Sequence, residues 1–329
     1  MPETARKPTG FLLHPAASLH DPGWGHPDHQ GRLRALASAV SKDMLTLHEK
    51  VVQVEARSAT EKDLLRVHIR EHLERVEMAA EQAMAEERSV PMDADTLVSP
   101  ASWDAAAGSS GAVLAAVDAI REGHVRNAFV ASRPPGHHAT PEKTLGFCIF
   151  NHVAVGVRYV QELGLADRIL IVDWDVHHGN GTQQAFYTDP DVFYFSLHQF
   201  PHFPGTGLAQ ETGAGAGKGT TLNVPLPPGT PRGVYQDRFA QAFRDVKDRF
   251  SPDFVFISTG FDVLAGDPLG GQELEPEDMY EFTRQVVEYA GEVAGGRVVA
   301  VLEGGYVPER VGSGTVAMLR AMAGLEAPE

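Results

Sequence analysis

The sequence has a single cysteine, Cys148, in 329 residues. An intramolecular disulfide is therefore excluded, and so is a structural zinc site built on four thiolates. Any metal must be held by His, Asp or Glu. No apolar run approaches the roughly 18 residues that suggest a membrane span. The segment MPETARKPTG lacks an apolar core, so no secretory leader is expected and the cytoplasm is the default location. Cationic residues are scarce too: 28 Lys and Arg stand against 44 Asp and Glu, a formal charge of −16. That balance argues against a sequence-independent grip on nucleic acid. It suits a cationic substrate, or solubility alone.

What is present is the composition of a globular enzyme, 43% hydrophobic and 22% charged. Apolar runs rich in Val, Ile and Phe predict strands at Phe11–Leu13, Val51–Val54, Ala128–Ala131, Ile169–Val172, Val192–Leu197, Phe254–Ser258 and Val298–Leu302. Their uniform hydrophobicity is that of strands buried on both faces. Helical periodicity covers about 32–41, 61–87 with a break near His68–Arg70, 103–121, 149–163, 231–250, 277–293 and 308–323. Ser102 and Ser251-Pro252 look like helix starts, Gly123 and Gly164 like stops. Alternation of the two patterns predicts an α/β fold: one doubly wound, mostly parallel sheet with helices on both faces. With no internal repeat and no compositional break, one catalytic domain is expected over 10–323, between a flexible segment 1–9 and a tail 324–329. The glycine-rich segment Gly205–Gly219 is expected to be an active-site loop.

Five of the predicted strands end in reactive or glycine-rich segments. They are Ser132-Arg133-Pro134-Pro135-Gly136-His137-His138, Asp173-Trp174-Asp175-Val176-His177-His178, Ser196-Leu197-His198, Thr259-Gly260-Phe261-Asp262 and Glu303-Gly304-Gly305-Tyr306. Open α/β sheets bind their ligands at the carboxyl ends of their strands.

Asp175 and His177, at i and i+2 after a buried strand, point to the same side of extended chain and can share a divalent metal. A catalytic site of this kind uses three protein ligands, and Asp262 is the best third. Alone it would read as a turn or cap aspartate; its partners reverse that. His137-His138 follow a rigid Pro-Pro-Gly turn and suit acid–base work better than ligation of one metal. Such histidines need orienting partners, for which Asp173 and Asn180 are candidates. A carboxylate would favour an imidazolium and an amide would not, so one partner each should split their basicities. His178 faces away and makes a structural hydrogen bond. Tyr306, after paired glycines, can swing its phenol toward a developing oxyanion.

Taken together, RPPGHHA (133–139), GFCIFNHVAVG (146–156), VDWDVHHGNGTQ (172–183), SLHQFPHFPGTG (196–207), GFDVLAGDPLG (260–270) and LEGGY (302–306) resemble the histone deacetylase family of zinc amidohydrolases. Arg133-Pro134-Pro135, Asn180 and Glu303 match its class II pattern. The resemblance implies zinc on Asp175, His177 and Asp262, with iron(II) as the alternative in the cell. His137 and His138 become the tandem acid–base pair, backed by Asp173 and Asn180, and Tyr306 polarises the acetyl carbonyl. Gly146, Phe147 and Phe203 would line a narrow channel with Leu269 at its mouth and Asp95 at the rim. Arg32 would line an inner acetate channel. Structural potassium would use Asp173, Ser196 and main-chain oxygens near Asp175, His177 and Leu197, with a second ion near Phe186 and Val192.

Arginase-like enzymes of the same fold carry further acids where this chain has Gly179 and Leu264, so a single catalytic metal is expected. Two departures from the family pattern stand out. The segment His26–Arg32 lacks its usual second proline, and Val307-Pro308 replaces a common Asn. The implied activity is removal of acetyl or another short acyl group from lysine in proteins or peptides. Leu269 stands where a polyamine-selective relative has a glutamate, which favours acyl-lysine over acetylpolyamine. The remaining alternative, a catalytically silent acyl-lysine or partner-binding module, is disfavoured by the complete set of residues. Oligomeric state is left open.

Overall fold

The computed structural model describes residues 7–328. Its strands are β1 (Thr9–Leu12), β2 (Val51–Gln53), β3 (Val90–Pro91), β4 (Leu97–Val98), β5 (Asn127–Val130), β6 (Ile169–Asp173), β7 (Val192–Gln199), β8 (Thr221–Leu226), β9 (Phe254–Thr259) and β10 (Val298–Leu302). Eight form one sheet in the order β2-β1-β5-β10-β9-β6-β7-β8, every pairing parallel. β3 and β4 make a separate antiparallel hairpin. The helices are α1 (Gly31–Lys42), α2 (Met44–Leu47), α3 (Glu61–Leu64), α4 (Arg70–Glu86), α5 (Ser102–Arg121), α6 (His152–Glu162), α7 (Asn180–Phe186), α8 (Arg232–Arg249), α9 (Pro276–Val293) and α10 (Pro308–Ala323).

The uniformly apolar strands are explained by helices on both sheet faces. In β6, Leu170 and Val172 join one core, with Trp174, Phe239 and Phe282; Ile169 and Ile171 join the other, with Val113 and Val153. β9 divides the same way, Val255 and Ile257 against Phe254 and Phe256.

The predicted break in segment 61–87 is present: α3 stops at Leu64 and α4 starts at Arg70. Gly123 and Gly164 follow their helices with φ of 75° and 60°, conformations open to glycine. Ser251-Pro252, expected to start a helix, does not. It follows α8 and leads into β9, where the Asp253 N–H donates to the Arg168 carbonyl at 2.7 Å and hands the chain to the sheet. Ser102 does head α5, but its hydroxyl bonds the His20 ring at 2.7 Å rather than capping the helix.

Thr9 is buried and paired with Val51 and Asn127 in β1, so the flexible segment expected over 1–9 is too long at that end; residues 1–6 lie outside the described residues. At the other end Gly324 caps α10 and the Leu325 carbonyl accepts the Tyr280 hydroxyl at 2.8 Å; Glu329 lies outside the described residues. The strand β8 escaped the sequence reading. It sits at a sheet edge, half-buried in alternation, and contains Pro225, which an edge tolerates.

Three buried histidines couple stability to pH. Burial depresses His68 to about 3, and His20 and His152 to about 4. His152 fits the neutral form: Nε2–H donates to the Pro134 carbonyl at 2.9 Å while Nδ1 accepts from Ser110 at 2.8 Å. A folded-state value below the unfolded one of about 6.5 means that protons favour the unfolded chain. Their stabilisation is complete above that value and is lost as pH falls toward the folded values. Each group should cost about 2 kcal/mol between pH 7 and pH 5 by linkage. A urea midpoint that stays level from pH 7 to pH 5 would rule this out.

Candidate active site

The central strands β5, β10, β9 and β6 end side by side, and their C-terminal turns converge. After β6, Asp175 and His177 turn inward. The His177 Nδ1 lies 3.0 Å from Asp175 Oδ1 and 3.3 Å from Asp262 Oδ2, which arrives after β9. Ligand-capable atoms of these three buried residues lie within 4.8 Å of one another. Asp262 Oδ2 has no hydrogen-bond donor although it is buried. An orphaned carboxylate oxygen beside an imidazole nitrogen and a second carboxylate fits a divalent cation. The donor set, one nitrogen and two carboxylates, suits zinc or iron(II).

The electrostatics fit as well. Burial and the Asp175 charge push the Asp262 carboxyl up to about 7. Burial pushes Asp175 the same way, but His137 and His177 hold it well below the usual carboxylate range. Against its own burial, His177 is raised to about 9 by the two carboxylates. Two buried carboxylates around one imidazole call for a cation.

Backbone packs tightly around this cluster. The Gly304 N–H donates to Asp175 Oδ2 at 2.8 Å, and the Val176 N–H to Asp262 Oδ1 at 2.9 Å. A Cβ on Gly304 would stand 2.1 Å from Asp262 Oδ2 and 2.6 Å from Asp175 Oδ2. Overpacking of that kind costs about 1–3 kcal/mol. Gly304→Ala is therefore expected to weaken metal binding roughly ten- to hundredfold, read by chelator competition. Unchanged affinity would show that the carboxylates do not need this approach. Close packing marks Gly179 and Leu264 too: a Cβ on Gly179 would meet Asp173 Oδ2 at 2.3 Å, and Leu264 is buried in the core.

The tandem histidines follow β5 and receive different partners. His137 Nδ1 lies 3.2 Å from Asp173 Oδ2, and His138 Nδ1 lies 2.8 Å from Asn180 Oδ1. Burial opposes charge on both. For His137 the carboxylates of Asp175, Asp173 and Glu303 outweigh it and raise the ring to about 10. For His138 burial prevails, aided by repulsion from His137 and His177, and the ring falls well below its usual value. One ring thus has a carboxylate partner and the other an amide, and the two are shifted in opposite directions, His138 by burial and its cationic neighbours rather than by Asn180. His178 turns away, as expected, to bond Thr206 at 2.8 Å and Gln183 at 2.9 Å.

A cavity of about 380 Å³ leads to this floor. Its lining includes Asp95, His138, Gly146, Phe147, Phe203, Leu269 and Tyr306, all predicted, and also His202, Gln199 and Pro268. Gly146 and Phe147 are consecutive left-handed residues, φ 55° and 68°. Asp95 Oδ1 accepts the Gly146 N–H at 3.1 Å and the Thr96 hydroxyl oxygen accepts the Phe147 N–H at 3.1 Å, which offsets the strain of that turn. Tyr306 is held by its backbone N–H, which donates to Asp267 Oδ2 at 2.7 Å, and burial pushes its phenol up.

Several predicted residues do not meet this cavity. Arg32 is wholly buried behind Tyr306, its guanidinium 5.1 Å from that ring's centroid and bonded to Asp28 and to the carbonyls of Glu303 and Gly305. Ser196 and Leu197 lie on β7, where Ser196 is the register partner of Asp173; Phe186 and Val192 flank the turn between α7 and β7. The glycine-rich segment does not line the cavity either. Its Gly207 carbonyl lies 2.9 Å from the His198 ring nitrogen, and it packs behind the site; the preceding residues 199–203 supply the wall instead.

Sequence reasoning missed His202, whose ring stacks on His177 at 4.8 Å and whose Nε2 bonds the Leu269 carbonyl at 2.9 Å. It also gave no role to Asp267, although Asp267 stands inside a quoted motif and holds both Tyr306 and Leu269 by their N–H groups.

Comparison with known proteins agrees with this geometry. A model of the histone deacetylase domain matches residues 26–322. A probable deacetylase of Archaeoglobus fulgidus is 36% identical over 97% of the chain and 87% of its own length. A histone deacetylase-like amidohydrolase of Pseudomonas aeruginosa is 35% identical over 96% and 80%. The crystal structure of the HDA15 HD domain superposes with a TM-score of 0.87 at 33% identity, covering 97% of this chain and 89% of that one. The chain belongs to the histone deacetylase family.

Proposed function

We propose that this protein is a metal-dependent amidohydrolase that removes acetyl, or another short acyl group, from the lysine ε-amine in proteins or peptides. The observation that carries the reading is the split between His137, paired with Asp173, and His138, paired with Asn180, beside the Asp175–His177–Asp262 cluster. Those three residues would hold one zinc, or iron(II) where the cell supplies it. A metal there would polarise the amide carbonyl and acidify a water.

The chain's own groups do the rest. His138 lines the cavity, so it takes the proton of the attacking water. His137, paired with Asp173, keeps positive charge beside the reacting carbon and returns a proton toward the departing amine through the histidine pair. The Tyr306 hydroxyl donates to the oxygen that gains negative charge. Phe147 and Phe203 clasp the methylenes of the substrate chain, and Asp95 at the cavity rim accepts N–H groups of its backbone. Arg32 is assigned to the inner end of the site. Potassium is assigned beside Asp173 and Ser196 and at the turn between Phe186 and Val192; the register pairing of the first two supports the former.

The mouth favours acyl-lysine over an acetylated polyamine. Leu269 stands there with Pro268 and Phe203, and among the cavity-lining residues Asp95 is the one carboxylate. A second ammonium would find little to pair with. The test is a panel with the zinc-loaded enzyme: acetyl-lysine peptides, longer acyl-lysines, and acetylated putrescine, cadaverine and spermidine. Peptides should lead in kcat/KM by about tenfold, the worth of one weak charge contact. Polyamines ahead of every peptide would overturn the assignment.

A further inference from the structure

The two catalytic turns leave the sheet from neighbouring strands. β5 and β10 are paired through Val130 and Val301, but His137 and Tyr306 both stand well beyond the last ladder bonds. The ladder therefore does not fix their separation, although a misplacement of about 1 Å can cost roughly a hundredfold in rate.

Glu303 occupies the gap. It is wholly buried and is absent from the cavity lining. Its Oε2 accepts two backbone N–H groups of the histidine turn, from Gly136 at 2.6 Å and His137 at 3.0 Å. Its Oε1 accepts the Ser258 hydroxyl of β9 at 3.2 Å. Its main-chain carbonyl accepts from Arg32, which also binds the Gly305 carbonyl. Asp28 then bridges Arg32 at 2.7 Å and Arg133 at 3.1 Å, and Arg133 opens the histidine turn. The two turns are thus tied twice, directly through the Glu303 carboxylate and indirectly through Asp28. A carboxylate is expensive to bury, and a shorter neutral side chain would satisfy a solitary amide more cheaply. The length of Glu303 lets it reach from one turn to the other.

We infer that Glu303 is a positioning residue whose carboxylate staples the histidine turn to the tyrosine turn and sets the distance across which His137, His138 and Tyr306 act on one substrate. The inference rests on the hydrolase reading for its effect on rate, but the staple itself is a statement about two amides.

The experiment compares Glu303→Leu and Glu303→Gln with the parent in the full, metal-loaded chain. Leu leaves the Gly136 and His137 amides unpaired, whereas the Gln amide oxygen still accepts both. Glu303→Leu should lose about fiftyfold or more in kcat, with KM and metal stoichiometry unchanged, and Glu303→Gln should stay within about fivefold. Hydrogen exchange at the Gly136 and His137 amides should quicken about tenfold or more in the Leu variant and remain parent-like in the Gln variant. Parent-like kcat or unchanged exchange in Glu303→Leu overturns the inference, as does a Gln variant as impaired as the Leu variant. If Glu303→Leu does not fold, Ser258→Ala releases one arm of the carboxylate. It should lower kcat about three- to tenfold at constant KM, the worth of one buried hydrogen bond; parent-like kcat again overturns the inference. A parent that hydrolyses no amide sinks the hydrolase reading instead, and the exchange rates still decide the staple.

Discussion

Tyr306→Phe is expected to lower kcat on an acetyl-lysine peptide by about 100- to 1,000-fold, the cost of removing one donor from a developing oxyanion. KM, metal content and thermal stability should barely change. The ring itself does the packing: it meets Phe147 edge-on at 5.8 Å and lies under the Arg32 guanidinium, and phenylalanine keeps both contacts. The backbone N–H that binds Asp267 is also kept. Only the hydroxyl is lost, so the variant separates chemistry from structure. Turnover within threefold of the parent would end the oxyanion role and leave Tyr306 a wall residue.

Asp262→Ala addresses the metal centre and should be the more damaging change. It removes one of three donors and leaves the Val176 N–H without its acceptor. It also leaves Asp175 and His177 with less charge to share. Breaking a buried charged pair costs about 3–5 kcal/mol, so metal affinity should fall roughly a hundredfold or more. Hydrolysis should vanish at metal concentrations that saturate the parent. Calorimetric titration with zinc is the readout. One tightly bound equivalent, with parent affinity, would refute the three-residue assignment.

The chemistry at this site was legible because it is local. Asp175 and His177 share a side of extended chain by strand parity alone, and the Pro-Pro-Gly turn announces that His137-His138 are being aimed somewhere. A carboxylate and an amide as candidate partners point to unlike roles for the two histidines, although the lowering of His138 comes from burial and from His137 and His177. It remained for the fold to join Asp173 to His137 and Asn180 to His138. What was not legible comes from segments distant along the chain. His202 stacks on His177 from a loop whose sequence signals only the channel phenylalanine, Phe203. In the sequence Glu303 is a family mark and no more; its grip on Gly136 and His137 depends on β10 lying beside β5, although the two are far apart in sequence. Ser251-Pro252 misled for a related reason: the signal for a helix start is local, whereas the neighbouring Arg168 carbonyl drew the chain into the sheet.

The sequence by itself determined the alternation of buried strands and amphipathic helices, the candidate metal-binding and acid–base side chains, and the absence of acids at Gly179 and Leu264. These are properties of side-chain type and short-range periodicity. Tertiary structure alone decided which histidine faces which partner, which loop walls the cavity, and how Arg32, Asp28, Arg133 and Glu303 hold the catalytic turns. Those depend on the order in which parallel strands assemble. Hydrophobic burial drives that assembly, but the distances it leaves between strand ends are set only when the whole sheet has formed.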